Sequence, residues 1–210
     1  MTANGIQLNV SDGRPSQNDL ASIQGTLADL GMGIWPLDLT GVPDEFRALI
    51  RRQSLSDEER AQLLAHFLLS RERLLEVIAQ AGRTPHVPGG GELSTRVVTH
   101  GYSYPQLYVV QGDEDFSRFD RFHVNKADDG TGVDEFAHML SGRGLVVHRR
   151  RSDGIVFTLQ MDCPNEGTGW LMTHDGARTH IGSISQAVPG TKILVQAIGP
   201  PSWNINYVDE

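Results

Sequence analysis

From Thr95 onward this chain divides into short apolar segments separated by turns, and that pattern restricts its fold more than any other feature. Segments at 96–99, 106–110, 119–123, 135–140, 145–147, 155–161, 170–173 and 192–198 have the length of strands. Gly, Asp, Asn or Pro separates most of them. Short strands with regular turn signals predict a β-sandwich or a closed barrel, because each strand buries one face only by packing on another layer.

The first 94 residues read differently. Residues 6–10 alternate apolar and polar side chains, as a strand with one buried face does. Ser16 is placed to cap a helix carrying Leu20, Ile23, Leu27 and Leu30, with Gly31 as its stop. Residues 35–39 are extended, and Pro43 and Asp44 open a short helix with Phe46, Leu49 and Ile50 on its apolar side. Ser56 and Glu59 form a capping box. It heads one long helix whose stripe runs through Leu63, Leu64, Phe67, Leu68, Leu74, Leu75 and Ile78 to Gly82. The expected organisation is a strand-and-helix segment, 1–94, packed outside a β-barrel, 95–210, as one compact unit.

Composition narrows the function classes. With 39% hydrophobic and 21% charged residues the chain is globular. A net charge of −8 argues against nucleic acid as the main partner, since phosphate binding needs clustered cations. The one basic run, His148 to Arg151, adjoins Ser152, Asp153 and Gly154 and reads as decoration of a hairpin turn. Cys163 is the only cysteine, which excludes an internal disulfide and fits a reducing compartment. It reads as a small packed or surface residue, not a reactive thiol. No signal peptide is visible at the start, and the apolar runs are too short to span a bilayer. The expected location is the cytoplasm, without membrane partners.

The chemistry concentrates in three places. On a strand, His123 and Asn125 share one face, with Val124 on the other. By the same parity Glu135 and Ala137 share a face, and His138 points away from them. His180 lies just past Gly176 at the start of a strand-like run. Two imidazoles and one carboxylate on one face of a divalent metal leave open positions for substrate and dioxygen. Asp129 is the main alternative to Glu135. Asn125 is open between metal ligand, hydrogen-bond donor beside the metal and turn residue. His174 is a further candidate, reaching in from a loop. His66, His86, His100, His138 and His148 read as surface or supporting residues.

These residues carry a family resemblance. His123-x-Asn125, Glu135-x6-Gly142 and Gly176-x3-His180 resemble the two motifs of the cupin superfamily, His-x-His-x3–4-Glu-x6-Gly and Pro-x-Gly-x2-His. Beyond the motifs the chain resembles the acireductone dioxygenases, cupins of methionine salvage. The resembling parts are Leu-Ala-Asp-Leu-Gly at 27–31 leading into Trp-Pro-Leu-Asp-Leu-Thr-Gly at 35–41, Leu-Ser-Asp-Glu-Glu at 55–59, Phe-Asp-Arg-Phe-His at 119–123, and Trp203. The resemblance spans roughly residues 20–205 and departs from the family at the site. Asn125 stands where the family has its second histidine, about six extra residues fall within 126–133, and Ala137 replaces the arginine that helps hold the anionic enediol. His174 replaces the motif proline, with one extra residue before His180.

The resemblance implies a mainly β cupin, a double-stranded β-helix barrel with N-terminal helices packed outside. It implies one divalent metal held by His123, Glu135 and His180, with iron(II) the first choice and nickel(II) or another divalent ion an alternative. It also implies a small-molecule substrate of enediol or hydroxy-ketone type, with dioxygen as co-substrate and Asn125 or Arg178 orienting the substrate. Two rivals remain open from sequence: a non-oxidative metal-dependent isomerase, lyase or cyclase, and a non-catalytic small-molecule-binding cupin. Oligomeric state is left open.

Overall fold

The computed structural model describes residues 5–111 and 116–208. In chain order its first half contains β1 (Ile6–Val10), α1 (Leu20–Asp29), β2 (Met32–Asp38), α2 (Asp44–Arg51), α3 (Asp57–Phe67) and α4 (Arg71–Gln80). The second half is almost all strand: β3 (Thr95–Val97), β4 (Tyr102–Tyr104), β5 (Gln106–Val109), β6 (His123–Lys126), β7 (Asp134–Ser141), β8 (Arg143–Arg150) and β9 (Val156–Asp162). It closes with β10 (Thr168–Asp175), β11 (His180–Ser183), β12 (Lys192–Ile198) and β13 (Ser202–Tyr207).

The strands form two sheets. One has eight strands in the order β1-β9-β8-β11-β6-β13-β3-β4, the other five in the order β2-β10-β7-β12-β5. The main core lies between their inner faces and includes Leu145, Val147, Met139, Met172, Ile193 and Trp203. The first 94 residues are woven into both layers, since β1 pairs with β9 and β2 with β10. The five-stranded sheet is buried on its outer face as well. Leu55 and Leu63 cover Leu140 and Leu194, while Leu74, Val77 and Ile78 cover Phe136, Leu171 and Ile198. Each such side chain contributes roughly 1.5–3 kcal/mol by leaving water. Double-sided burial leaves nearly every residue of β7 and β12 buried and explains why β12 reads as a nearly continuous apolar run.

Four local expectations change. Helix α1 is capped by Asp19, whose carboxylate accepts from the Ser22 N–H at 2.8 Å, while Ser16 donates to Asn9 instead. The expected long helix is two helices, because the chain is extended at Leu68 and Ser70 caps α4. Buried Gln196 of β12 makes that break possible. Its side chain accepts from the Leu69 N–H at 2.9 Å and donates to the Leu69 carbonyl at 3.2 Å, satisfying a backbone unit that helix would otherwise pair. Residues 117–119 form a 3₁₀ turn, so β6 begins only at His123. The basic run is not turn decoration throughout: β8 continues to Arg150, and Arg149 shares the inward face of Leu145 and Val147.

Candidate metal centre

The polar cluster forms where the two sheets face each other. Glu135 on β7 and His174 on β10 are direct partners in one ladder of the five-stranded sheet. His180 on β11 and His123 on β6 are direct partners in the eight-stranded sheet. All four are buried, and with Asn125 they line one cavity inside the fold.

Glu135, His174 and His180 place one potential ligand atom each within 4.8 Å of the others. The nearest Glu135 oxygen, Oε2, is 3.4 Å from His180 Nε2 and 3.8 Å from His174 Nε2. His123 stands beside the group, its ring centroid 4.3 Å from that of His180. His174 is therefore a member of the cluster from a strand, not from a loop. Parity signals it, since Trp170, Met172 and His174 share one face of β10. The apolar run in the sequence stops at Thr173, one residue short of His174, whereas the strand continues to Asp175.

The imidazoles are oriented by backbone. His123 Nδ1 donates to the Arg121 carbonyl at 2.7 Å, and His180 Nδ1 donates to the Arg178 carbonyl at 2.8 Å. A carbonyl only accepts, so each Nδ1 carries the proton and each Nε2 keeps a free lone pair. Burial disfavours the imidazolium form, which lowers His123 and takes His174 down to about 3. His180 is pushed well down by burial and then by its neighbours His123, His174 and Arg149. These rings are neutral at physiological pH, the state in which imidazole binds a metal.

The carboxylate is held differently. Asn125 Nδ2 donates to Glu135 Oε2 at 2.8 Å, leaving buried Asn125 Oδ1 without a partner. Burial pushes the Glu135 carboxyl up to about 7, with the Asn125 hydrogen bond opposing the shift. Close packing limits what can stand beside it. A methyl group at Gly176 would lie 2.6 Å from Glu135 Oε2, so this motif glycine makes room for the carboxylate. Gly142, the other motif glycine, has φ +89°, and a Cβ there would meet Thr191 at 2.1 Å.

A polar network supports the outer side of this ladder. Arg83, just past α4, pairs with buried Asp134 and donates to Thr173 Oγ1 at 2.9 Å; that hydroxyl donates to the Glu135 carbonyl at 2.9 Å. Asp134 also accepts from the His86 N–H at 2.9 Å, and His86 Nε2 lies 2.7 Å from Asp175 Oδ1. The Asp175 bond raises His86. On the other side, Arg149 is 2% exposed and donates to the carbonyls of Arg178 (2.7 Å) and Asp175 (2.9 Å). The Arg178 carbonyl thus receives both Arg149 and His180. Arg83 does not stand out in the sequence and Arg149 shows there only as part of the basic run, because only the assembled sheets bring them behind the cluster.

Other candidates lie elsewhere. The Arg178 side chain is 54% exposed and pairs with Asp175 at 3.1 Å, outside the cavity, because its strand begins two residues later. Asp129 sits in a turn, accepting from the Thr131 N–H at 2.9 Å. His138 points away from Glu135 and is buried on the outer face of β7, where burial lowers it to about 4. His66 stacks on Phe46 at 3.9 Å. Burial pushes the Cys163 thiol up to about 12, which suits an inert thiol.

No protein-family model matches the chain, and no curated protein sequence matches it. Among solved structures it is similar to an acireductone dioxygenase from Bacillus anthracis with cadmium ion in its active center. The match has a TM-score of 0.58 at 15% identity and covers 97% of this chain and 94% of that one. The fold is that of a cupin. In this cupin fold the two sheets are the two layers of the double-stranded β-helix, and α2, α3 and α4 pack outside it. No helix among the described residues is long and apolar enough to cross a membrane.

Proposed function

We propose that this cupin is a metal-dependent enzyme of the acireductone dioxygenase-like kind, acting on a small enediol or hydroxy-ketone. The observation that carries the reading is the convergence of Glu135, His174 and His180 in the lumen, with His180 presenting Nε2 because its Nδ1 is bonded to a carbonyl. The donor set fits a divalent cation. It offers neutral imidazoles and one buried carboxylate whose ionised form is opposed chiefly by desolvation, a burden that a bound cation relieves. Glu135, His174 and His180 would hold the metal, with His123 alongside. The imidazole that the motif loses at Asn125 is then regained at His174, from the strand paired with Glu135.

Bound there, a divalent metal supplies a Lewis acid for adjacent substrate oxygens, and iron(II) adds reactivity toward dioxygen. The chain's own residues do the rest. Asn125 holds the Glu135 carboxylate through Nδ2, and its free Oδ1 is an acceptor for a ligand hydroxyl. The apolar walls exclude water from the cluster and strengthen every electrostatic contact within it.

The test is metal analysis of protein purified without chelator, then stripped and reloaded. The expected outcome is close to one divalent ion per chain, with oxygen uptake during turnover of an enediol. Glu135→Gln is expected to weaken retention against a competing chelator by more than about a hundredfold, since even outer partners of metal ligands are worth 10–100-fold. A Gln variant that retains metal like the wild type would remove Glu135 from the site. Metal binding without oxygen uptake would point to isomerisation, elimination or cyclisation.

A further inference from the structure

The cavity that holds the cluster runs on toward β4 and β5, which lie at the ends of the two sheets. There its lining includes Tyr104, Tyr108, Phe119 and Trp203. Leu107 and Val109 pack on the outer side of β5, so by strand parity Tyr108 between them faces inward. Its ring meets Phe119 edge-on with centroids 5.6 Å apart. The Tyr108 hydroxyl is buried and makes no well-formed hydrogen bond among the described residues. Buried hydroxyls are nearly always satisfied, and an open one beside a cavity is an anchoring point for what the cavity holds.

The surroundings decide which way that hydroxyl works. Arg118 lies over the rings of Phe119 (4.5 Å) and Tyr102 (5.4 Å), and the Tyr102 and Tyr104 hydroxyl oxygens are 3.5 Å apart. Burial raises Tyr108, and the Glu135 charge adds to that, so the phenol keeps its proton. Tyr104 and Arg118 act the other way, both by hydrogen bonding and Arg118 also by its charge. Groups that favour a phenolate present donors or positive charge to its oxygen. Tyr104 and Arg118 thus act on the oxygen, and the O–H is left to donate. Trp203 Nε1, buried and unpartnered, is a second donor among the lining residues there. Donors of this kind call for an acceptor oxygen.

Resting on the metal-centre reading, we propose that Tyr108 donates a hydrogen bond to a carbonyl oxygen of the ligand, remote from the oxygens that the metal would hold. The ligand class is then a bifunctional small molecule, with chelating oxygens at one end and a second carbonyl at the other. A plain hydrocarbon body would leave the Tyr108 hydroxyl buried and unpaired, which is unfavourable.

The test uses Tyr108→Phe, which removes one buried oxygen and keeps the ring. Two matched pairs of hydroxamates are titrated into the cobalt(II)-loaded protein: pentano- against 4-oxopentanohydroxamate, and hexano- against 5-oxohexanohydroxamate. In wild type at least one ketone is expected to bind about tenfold tighter than its alkyl match, and Tyr108→Phe is expected to abolish that advantage while changing alkyl binding by less than about twofold. A merely structural role would weaken both members of a pair alike. The carbonyl stretch of the bound ketone, read by isotope-edited infrared spectroscopy, is expected at lower frequency in wild type than in a hydrocarbon solvent. Equal or tighter binding of the alkyl probes at both lengths overturns the proposal. So does a ketone advantage that survives in Tyr108→Phe, or an unshifted carbonyl stretch in wild type.

Cobalt uptake is measured first. Its absence overturns the metal-centre reading, and the same pairs are then compared on metal-free protein by thermal shift. A ketone preference that Tyr108→Phe removes supports the Tyr108 assignment. No preference, no binding, or a preference that the variant retains overturns it.

Discussion

On the eight-stranded sheet, His123 and His180 are each oriented by a carbonyl two residues back in the chain. On the five-stranded sheet, Glu135 is oriented by Asn125 across the lumen and supported by Arg83 through Asp134 and Thr173. One half of the cluster is thus held by local backbone geometry, and the other by side chains that meet only after the layers pack. The two buried arginines follow the same division. Arg149 bonds backbone carbonyls, whereas Arg83 pairs with a carboxylate that is 1% exposed. The five-stranded half should therefore be the more sensitive to a single side-chain change.

The strongest test of that contrast replaces each arginine by Met. Arg83→Met strands a buried Asp134 carboxylate, and its expected loss is about 3–5 kcal/mol of unfolding free energy. Arg149→Met leaves carbonyls unsatisfied and withdraws a through-space positive charge from Asp175 and Glu135 but breaks no direct ion pair, with an expected loss of about 1–3 kcal/mol. Chemical denaturation of both variants measures the difference. Equal losses would show that the two halves are supported alike.

The next effect is in pH. Glu135 has a folded pKa raised to about 7 from 4.5, mainly by burial. A raised pKa means that the folded metal-free protein binds a proton more tightly than the unfolded chain. That contribution is complete below about pH 4.5 and is lost as pH rises through about 7. Relative to Glu135→Gln, metal-free wild type should lose up to about 3 kcal/mol across this window. The variant serves as the reference because the buried histidines, with lowered pKa values, change stability in the opposite direction in both proteins. A flat difference between pH 4.5 and 7 would mean that Glu135 has another counter-charge.

The smallest effect separates the neighbouring histidines. His174→Ala should weaken metal retention about tenfold more than His123→Ala, a difference of about 1.4 kcal/mol, because His174 lies within the close group and His123 stands beside it. Chelator competition ranks the two. The reverse ranking would restore His123 to the triad that the sequence motif implies and move His174 to its edge.

Much of the fold and part of the site were legible in the sequence, for a common reason. Strand parity is a local property, so residue spacing alone sorts Glu135 and Ala137 from His138. The Ser56–Glu59 capping box is local too, and the helix begins there. Where a distant partner decides, local reading fails. Gln196 satisfies Leu69 and divides one apolar stripe into two helices, and the strand boundary at His180 leaves Arg178 outside.

By itself, the sequence determined the alternation of faces, the turns and the glycines that admit close packing, because these depend on backbone sterics and near neighbours. Only the tertiary structure decided that His174 joins Glu135 and His180, that Asn125 restrains the carboxylate, and that Arg149 and Arg83 lie buried behind the cluster. Those contacts join two sheets and a helix end far apart in the chain. Their favourable energy exists only once packing has removed water from between them.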